Sequence, residues 1–230
     1  MSIELKKIIN DLKHIPIQVW GRYAIKRDIL YNKIKESEYD DLILNAHECG
    51  IFYANKIKDE LEEKDPFKIA DKLNIKISEE ENKPGSKRLV FATFTTPNKV
   101  VLMKTPIYKI INHTQKLDNE NKIDFDVTTI KSILLTHEIF HFIENKYKKE
   151  IYTQNKQIVL WELLGYKHKS NLRVLSEIAA MSFAQTLSGV LYSPFMIDII
   201  MLYPYNKEGA VKLYKSILEI NRKWETTNEK

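Results

Sequence analysis

Lys131-Ser132-Ile133-Leu134-Leu135-Thr136-His137-Glu138-Ile139-Phe140-His141-Phe142-Ile143 is an apolar run with helical spacing that carries two histidines and a glutamate in the pattern H-E-x-x-H. At 3.6 residues per turn, positions i and i+4 stack on one face, so His137 and His141 can share one metal ion. Glu138, one step round, can reach a water on that ion without being a ligand. Zinc suits the pattern because it lowers the pKa of its bound water to roughly 7, and the carboxylate can take the proton as hydroxide attacks a carbonyl. With 6 histidines in 230 residues, such a match arises by chance in roughly one sequence per hundred. Ile133, Leu134, Ile139, Phe140, Phe142 and Ile143 make this a largely buried helix, where two histidines and a glutamate are costly without a role.

A catalytic zinc needs a third protein ligand and an open fourth position. Glu144 shares a face with His137 and His141 but stands two turns from His137, about 10 Å along the axis. That leaves it as a solvated carboxylate or one supporting a ligand from behind. Glu177, 36 residues after His141, is the better candidate. It lies near the start of a second apolar helix, Leu175-Ser176-Glu177-Ile178-Ala179-Ala180, where Ala179, Ala180 and Ala184 would permit close approach to the first. Asp124, Asp126 and Glu162 are the alternatives.

Working outward, Asp126 reads as an N-cap for the metal helix, with Ile130, Ile133, Leu134, Phe140 and Ile143 as its buried stripe. Upstream, Asp65-Pro66 reads as an N-cap and first helical residue, leading through Leu73 to a short strand at Ile75-Lys76-Ile77. Arg88 to Thr95 and Lys99 to Lys104 read as a hairpin around Thr96-Pro97-Asn98, the one convincing hairpin in the sequence. Residues 1 to 63 read as a helical extension, with apolar series through Leu5, Ile8, Ile9 and Leu12, through Ile25, Ile29 and Leu30, and through Leu44, Cys49, Phe52 and Ile57. Between 147 and 170 the pattern predicts a loop and a short helix near Leu160 to Leu164. A long helix follows from about Leu172, and an amphipathic one from Asn206. The expected fold is α+β: a mostly helical, zincin-like unit over 64–230 with a small antiparallel sheet, carrying the 1–63 extension.

Composition excludes several classes. The chain is 43% hydrophobic and 29% charged, with 6 Gly and 7 Pro, so nothing suggests disorder or a collagen-like repeat. The single Cys49 excludes an intrachain disulfide and a multi-cysteine zinc site, and fits a reducing, cytoplasmic setting. Met1 to Trp20 lacks a continuous apolar core and does not read as a secretory signal. From Ile178 to Tyr205 the one formal charge is Asp198, but Ser182, Gln185, Thr186, Ser188, Gly189, Ser193 and Pro194 interrupt the run. It reads as a buried helix, a turn near Ser193-Pro194 and a second short helix, so no membrane partner is expected. The net charge of +5 comes from scattered lysines broken by acids such as Glu79-Glu80-Glu81, a solvated surface rather than a nucleic-acid footprint.

With both helices located, the chain resembles the ImmA/IrrE family of metallopeptidases. Asp65 to Ile77 looks like that family's leading helix and first strand. Thr136-His137-Glu138-Ile139-Phe140-His141 matches its active-site helix. Glu177, Ala180, Phe183 and Ala184 match its downstream E-x-x-A-x-x-F-A pattern, in which the glutamate binds zinc. The likeness covers about 65 to 190. It departs at Phe140, where the family usually has glycine, at Met181, where a small polar residue is usual, and at Leu187-Ser188-Gly189-Val190, which replaces Leu-Leu-Met-Pro. The resemblance implies a Zn2+ peptidase with His137, His141 and Glu177 as ligands and Glu138 activating water. It also implies regulatory proteolysis of a protein substrate such as a helix-turn-helix repressor. Residues 1–63 show no helix-turn-helix of their own, so they are expected to cover the core or recognise the partner. The altered cleft residues motivate an alternative, a regulator or toxin-type protein that keeps the zinc fold and acts by binding. Tyr166, His168 and Arg173 are candidate oxyanion donors, each with a plainer reading as a surface or packing residue. His47, in Ala46-His47-Glu48-Cys49-Gly50, lacks a second ligand one turn on and reads as a mimic of the motif.

Overall fold

Two helices start at the caps read from the sequence. The computed structural model describes residues 4–81, 89–114 and 125–228. Asp65 accepts hydrogen bonds from the Phe67 and Lys68 amides and starts α4 (Pro66–Lys72). Asp126 accepts from the Thr129 amide and starts α6 (Val127–Lys146), the helix that carries the H-E-x-x-H motif. Each carboxylate satisfies amides that a first turn leaves without partners.

The remaining helices are α1 (Leu5–Leu12), α2 (Ile17–Ile25), α3 (Tyr39–Leu61), α5 (Lys104–Thr114), α7 (Tyr152–Asn155), α8 (Arg173–Ser188), α9 (Phe195–Leu202) and α10 (Lys207–Asn228). Helices therefore dominate, and the class is α+β. The expected break at Ser193-Pro194 separates α8 from α9, and no helix among the described residues is long and apolar enough to cross a membrane.

Two expectations about strands need correction. The first sheet is mixed rather than antiparallel. β1 (Lys76–Glu80), β2 (Ala92–Thr95) and β3 (Lys99–Met103) take the order β1-β3-β2, with β2 antiparallel to β3 and β1 parallel to it. Arg88, the expected start of β2, lies outside the described residues. In place of the short helix at Leu160–Leu164 there is a second hairpin, β4 (Gln157–Leu163) and β5 (Tyr166–Asn171). Its two-residue turn places Leu164 and Gly165 at φ of 49° and 81°, the left-handed pair that matches strand twist. The apolar run 158–164 has no strict alternation, and leucine is not a turn signal, so the sequence concealed this hairpin.

Residues of the N-terminal segment enter the same hydrophobic cluster as the rest, which extends from Leu5 to Ile220. Trp20 of α2 stacks on Phe195 of α9 with centroids 5.9 Å apart. The buried face of α3 is Leu42, Ile43, Ala46, Cys49, Gly50, Tyr53, Ala54 and Ile57. Leu44, Phe52 and Ile29, expected in the buried series, are exposed.

α8 packs between α3 and α6. A Cβ on Gly50 would lie 2.2 Å from the Ala179 carbonyl oxygen, so α3 and α8 meet at a backbone-to-backbone approach that tolerates only glycine. On the other side Phe183 packs against Phe140 of α6, centroids 5.5 Å apart. Gly50→Ala is expected to destabilise the fold by about 3 kcal/mol through overpacking. In urea unfolding the midpoint should fall while the slope is unchanged. A wild-type midpoint would refute the close approach.

Candidate metal centre

Two helices supply the cluster. His137 and His141 project from α6, and Glu177 projects from the second turn of α8 to face them. His137 Nε2 lies 3.3 Å from His141 Nε2 and 3.6 Å from Glu177 Oε2. One ligand atom from each of the three lies within 4.8 Å of the others, so the group could hold a metal ion. The donor set fits: bonds of 2.0–2.1 Å in tetrahedral array place donors about 3.3–3.4 Å apart, close to the separations observed. Of the alternatives, Asp126 is occupied as the α6 cap and Glu162 pairs with Lys167 on the β4–β5 hairpin. Asp124 lies outside the described residues.

Support for the two imidazoles is unequal. Behind His141, the Glu144 carboxylate stands 3.7 Å from Nδ1, and it accepts hydrogen bonds from Ser176 at 2.8 Å and from Thr153. Glu144 is therefore buried rather than solvated, and it fixes the ring orientation as a carboxylate behind a ligating histidine does. His137 Nδ1 is buried with no hydrogen-bond partner among the described residues. Burial, then the neighbouring His141, holds His137 far below histidine's usual value, keeping it in the neutral form that a metal requires. Burial also pulls His141 down, but its hydrogen bond to Glu144 and the charges of Glu177, Glu138 and Glu144 outweigh that and raise His141.

Glu138 sits beside the cluster, buried, with its carboxylate accepting from the Phe94 amide of β2. Burial pushes it up to about 7, with Glu177 adding to the rise and His141 opposing it. Phe140, where the resembled family has glycine, points into the core and is fully buried. Its bulk is absorbed by packing and does not fill the cleft.

Two cavities open on either side of Glu138. One, of about 570 Å³, is lined by Ala92, Thr93 and Phe94 of β2, the three cluster residues, Asn171 and Arg173. The other, of about 410 Å³, is walled by Ile133, Leu134, Met181 and Ile197 and also reaches Arg27 and Asp198. Of the three candidate donors, Arg173 lines the first cavity, with Nε 3.9 Å from Glu177 Oε1. Tyr166 and His168 line neither, and His168 stacks on Trp161 at 5.3 Å. His47 hydrogen-bonds Ser182 at 2.8 Å between α3 and α8, a packing role that leaves it out of the cluster.

Sequence reasoning did not find Ser176, Thr153, Arg27 or the Phe94 amide. Asp198 did leave a signal, as the lone charge in an apolar stretch. Comparison with protein-family models, with curated proteins and with solved structures found no significant match to this chain.

Asp198 offers a test at a group outside the cluster. Burial raises it to about 6, against a lowering by Arg27, whereas an unfolded aspartate titrates near 3.9. The folded state thus holds the proton longer, and this group's stabilising contribution is full below about pH 4 and lost as pH rises through about 6. Asp198→Asn escapes that loss. Its stability relative to wild type should rise by about 1–2 kcal/mol between pH 4 and 6.5, after discounting for the partial exposure of the side chain. Chemical unfolding at several pH values measures it, and the opposite trend would mean that the Arg27 charge dominates.

Proposed function

We propose that the chain is a cytoplasmic zinc endopeptidase of the ImmA/IrrE kind, acting on a specific regulatory protein such as a helix-turn-helix repressor. One observation carries the reading. Two helix-borne imidazoles and a carboxylate from a facing helix converge at metal-ligand spacing, with a second, buried carboxylate beside them. Zinc is the ion of choice for an N/N/O set of this geometry.

When bound, zinc supplies a Lewis acid and a water acidic enough to lose its proton near neutral pH. Glu138, pushed up to about 7 by burial, is matched to receiving that proton and passing it to the leaving amine. The Phe94 amide holds its carboxylate in place. Glu144 and Ser176 hold His141 in orientation. β2 is an edge strand whose residues line the cleft, so an extended polypeptide could lie alongside it. Arg173, at the cleft rim, is the candidate donor to a developing oxyanion.

Purified protein should carry stoichiometric zinc by elemental analysis. His141→Ala and Glu177→Ala should each lose most of it, and full retention by both would remove the site. Glu138→Gln should keep zinc and lose roughly 10²–10⁴-fold in cleavage of a helix-turn-helix repressor that the wild type cleaves. Undiminished turnover would defeat the mechanism, and full regulatory effect without cleavage would favour action by binding alone.

A further inference from the structure

The β4–β5 hairpin is rooted in the core at Ile158 and Leu160, but its outer half carries exposed apolar side chains, with Trp161 flanked by Tyr166 and His168. Leu164 is 99% exposed, Leu163 64%, Tyr166 63% and Trp161 50%. Folding does not account for Leu164. It occupies a left-handed turn position where Asn, Asp or Gly is preferred, and its side chain packs on nothing.

The residues are ordered along the hairpin. Leu163 pairs with Tyr166 next to the Leu164-Gly165 turn, and Trp161 pairs with His168 behind them. At 3.3–3.4 Å per residue, Trp161 stands about 7 Å back from Leu163. Lys169 follows, opposite Val159, and Lys156 precedes β4. From Lys156 to Arg173 four Lys/Arg accompany a single acid, Glu162, which is itself 3.5 Å from Lys167.

We propose that this hairpin seats the protein on an anionic lipid surface, with Leu163 and Leu164 entering the acyl boundary, Trp161 and Tyr166 at headgroup level, and Lys156, Lys167 and Lys169 against the phosphates. Interfacial elements bury their apolar side chains about 5–10 Å deep, which matches the span from the turn to Trp161. Indole and phenol rings favour the headgroup layer, and lysines near an anionic leaflet add attraction that salt screens. Aliphatic tips favour lipid over nucleic acid, because leucine offers no face for base stacking. The sequence expectation of no membrane partner came from the lack of a spanning helix, a separate property from surface seating. The inference does not depend on the peptidase reading. Because Asn171 at the base of β5 lines the cleft, seating the hairpin would hold the metal centre close to the bilayer.

Co-sedimentation of the full chain with phosphatidylglycerol–phosphatidylcholine vesicles, beside pure phosphatidylcholine, tests the proposal. Binding is expected to the anionic vesicles only, with tryptophan quenching by brominated acyl chains that Trp161→Phe removes. Leu163→Asp with Leu164→Asp should cut partitioning more than tenfold while the thermal midpoint and metal content stay at wild type, since both side chains are solvent-facing. Lys167→Glu with Lys169→Glu should cut it severalfold. The proposal falls if anionic vesicles are not bound at low salt, or if the double aspartate variant binds as well as wild type. It also falls if the hairpin binds a single-stranded oligonucleotide or a protein in preference to the vesicles.

Discussion

The seating of α8 between α3 and α6 is the constraint on which the candidate metal centre depends. Glu177 meets the histidines only because α8 approaches α6 at a fixed distance and rotation. Phe183 against Phe140 sets the separation on one side, and the Gly50–Ala179 backbone contact sets it on the other. The start of α8 is held from a distant part of the chain. Its N-cap position, Leu172, offers no side-chain acceptor, and the Asp28 carboxylate accepts from the Val174 amide at 3.0 Å. A carboxylate at a helix N-terminus also meets the favourable end of the helix dipole.

Residues 1–63 are thereby tied to a cluster to which they contribute no side chain. Asp28 caps the helix of Glu177, His47 bonds to Ser182 on that helix, and Arg27 lines the apolar cavity beside Glu138. Tyr23 accepts a hydrogen bond from Arg27, so the cavity wall is built partly by α2 and the turn after it. Both halves of the chain therefore wall that cavity.

Burial acts in opposite directions on neighbouring groups within a few ångströms. It pulls His137 down and pushes Glu138 up, so one side chain stays neutral and able to donate a lone pair while the other becomes a proton acceptor near neutral pH. His141 escapes because Glu144 stands behind it. Such separation between adjacent groups is what the proposed acid–base role of Glu138 would use.

Local signals in the sequence determined much of this protein. Asp65 and Asp126 as caps, the 3.6-residue stripe of α6, the shared face of His137 and His141, and the break at Ser193-Pro194 all depend on neighbours within a turn or two. Glu177 was legible too, because small residues around it announced a close helix contact, although alanine could not say with which helix: Ala179 in fact faces α3. Tertiary structure alone decided the rest. The buried face of α3 depends on which side α8 occupies, so Leu44 and Phe52 could not be placed from periodicity. Glu144 became a buried support because Ser176 and Thr153, remote in sequence, satisfy its oxygens. Asp198 and Arg27 meet only through the packing of α2 and α9. The β4–β5 hairpin escaped notice because its exposed apolar residues carry no in–out alternation and Leu164-Gly165 is not a pair that marks a tight turn.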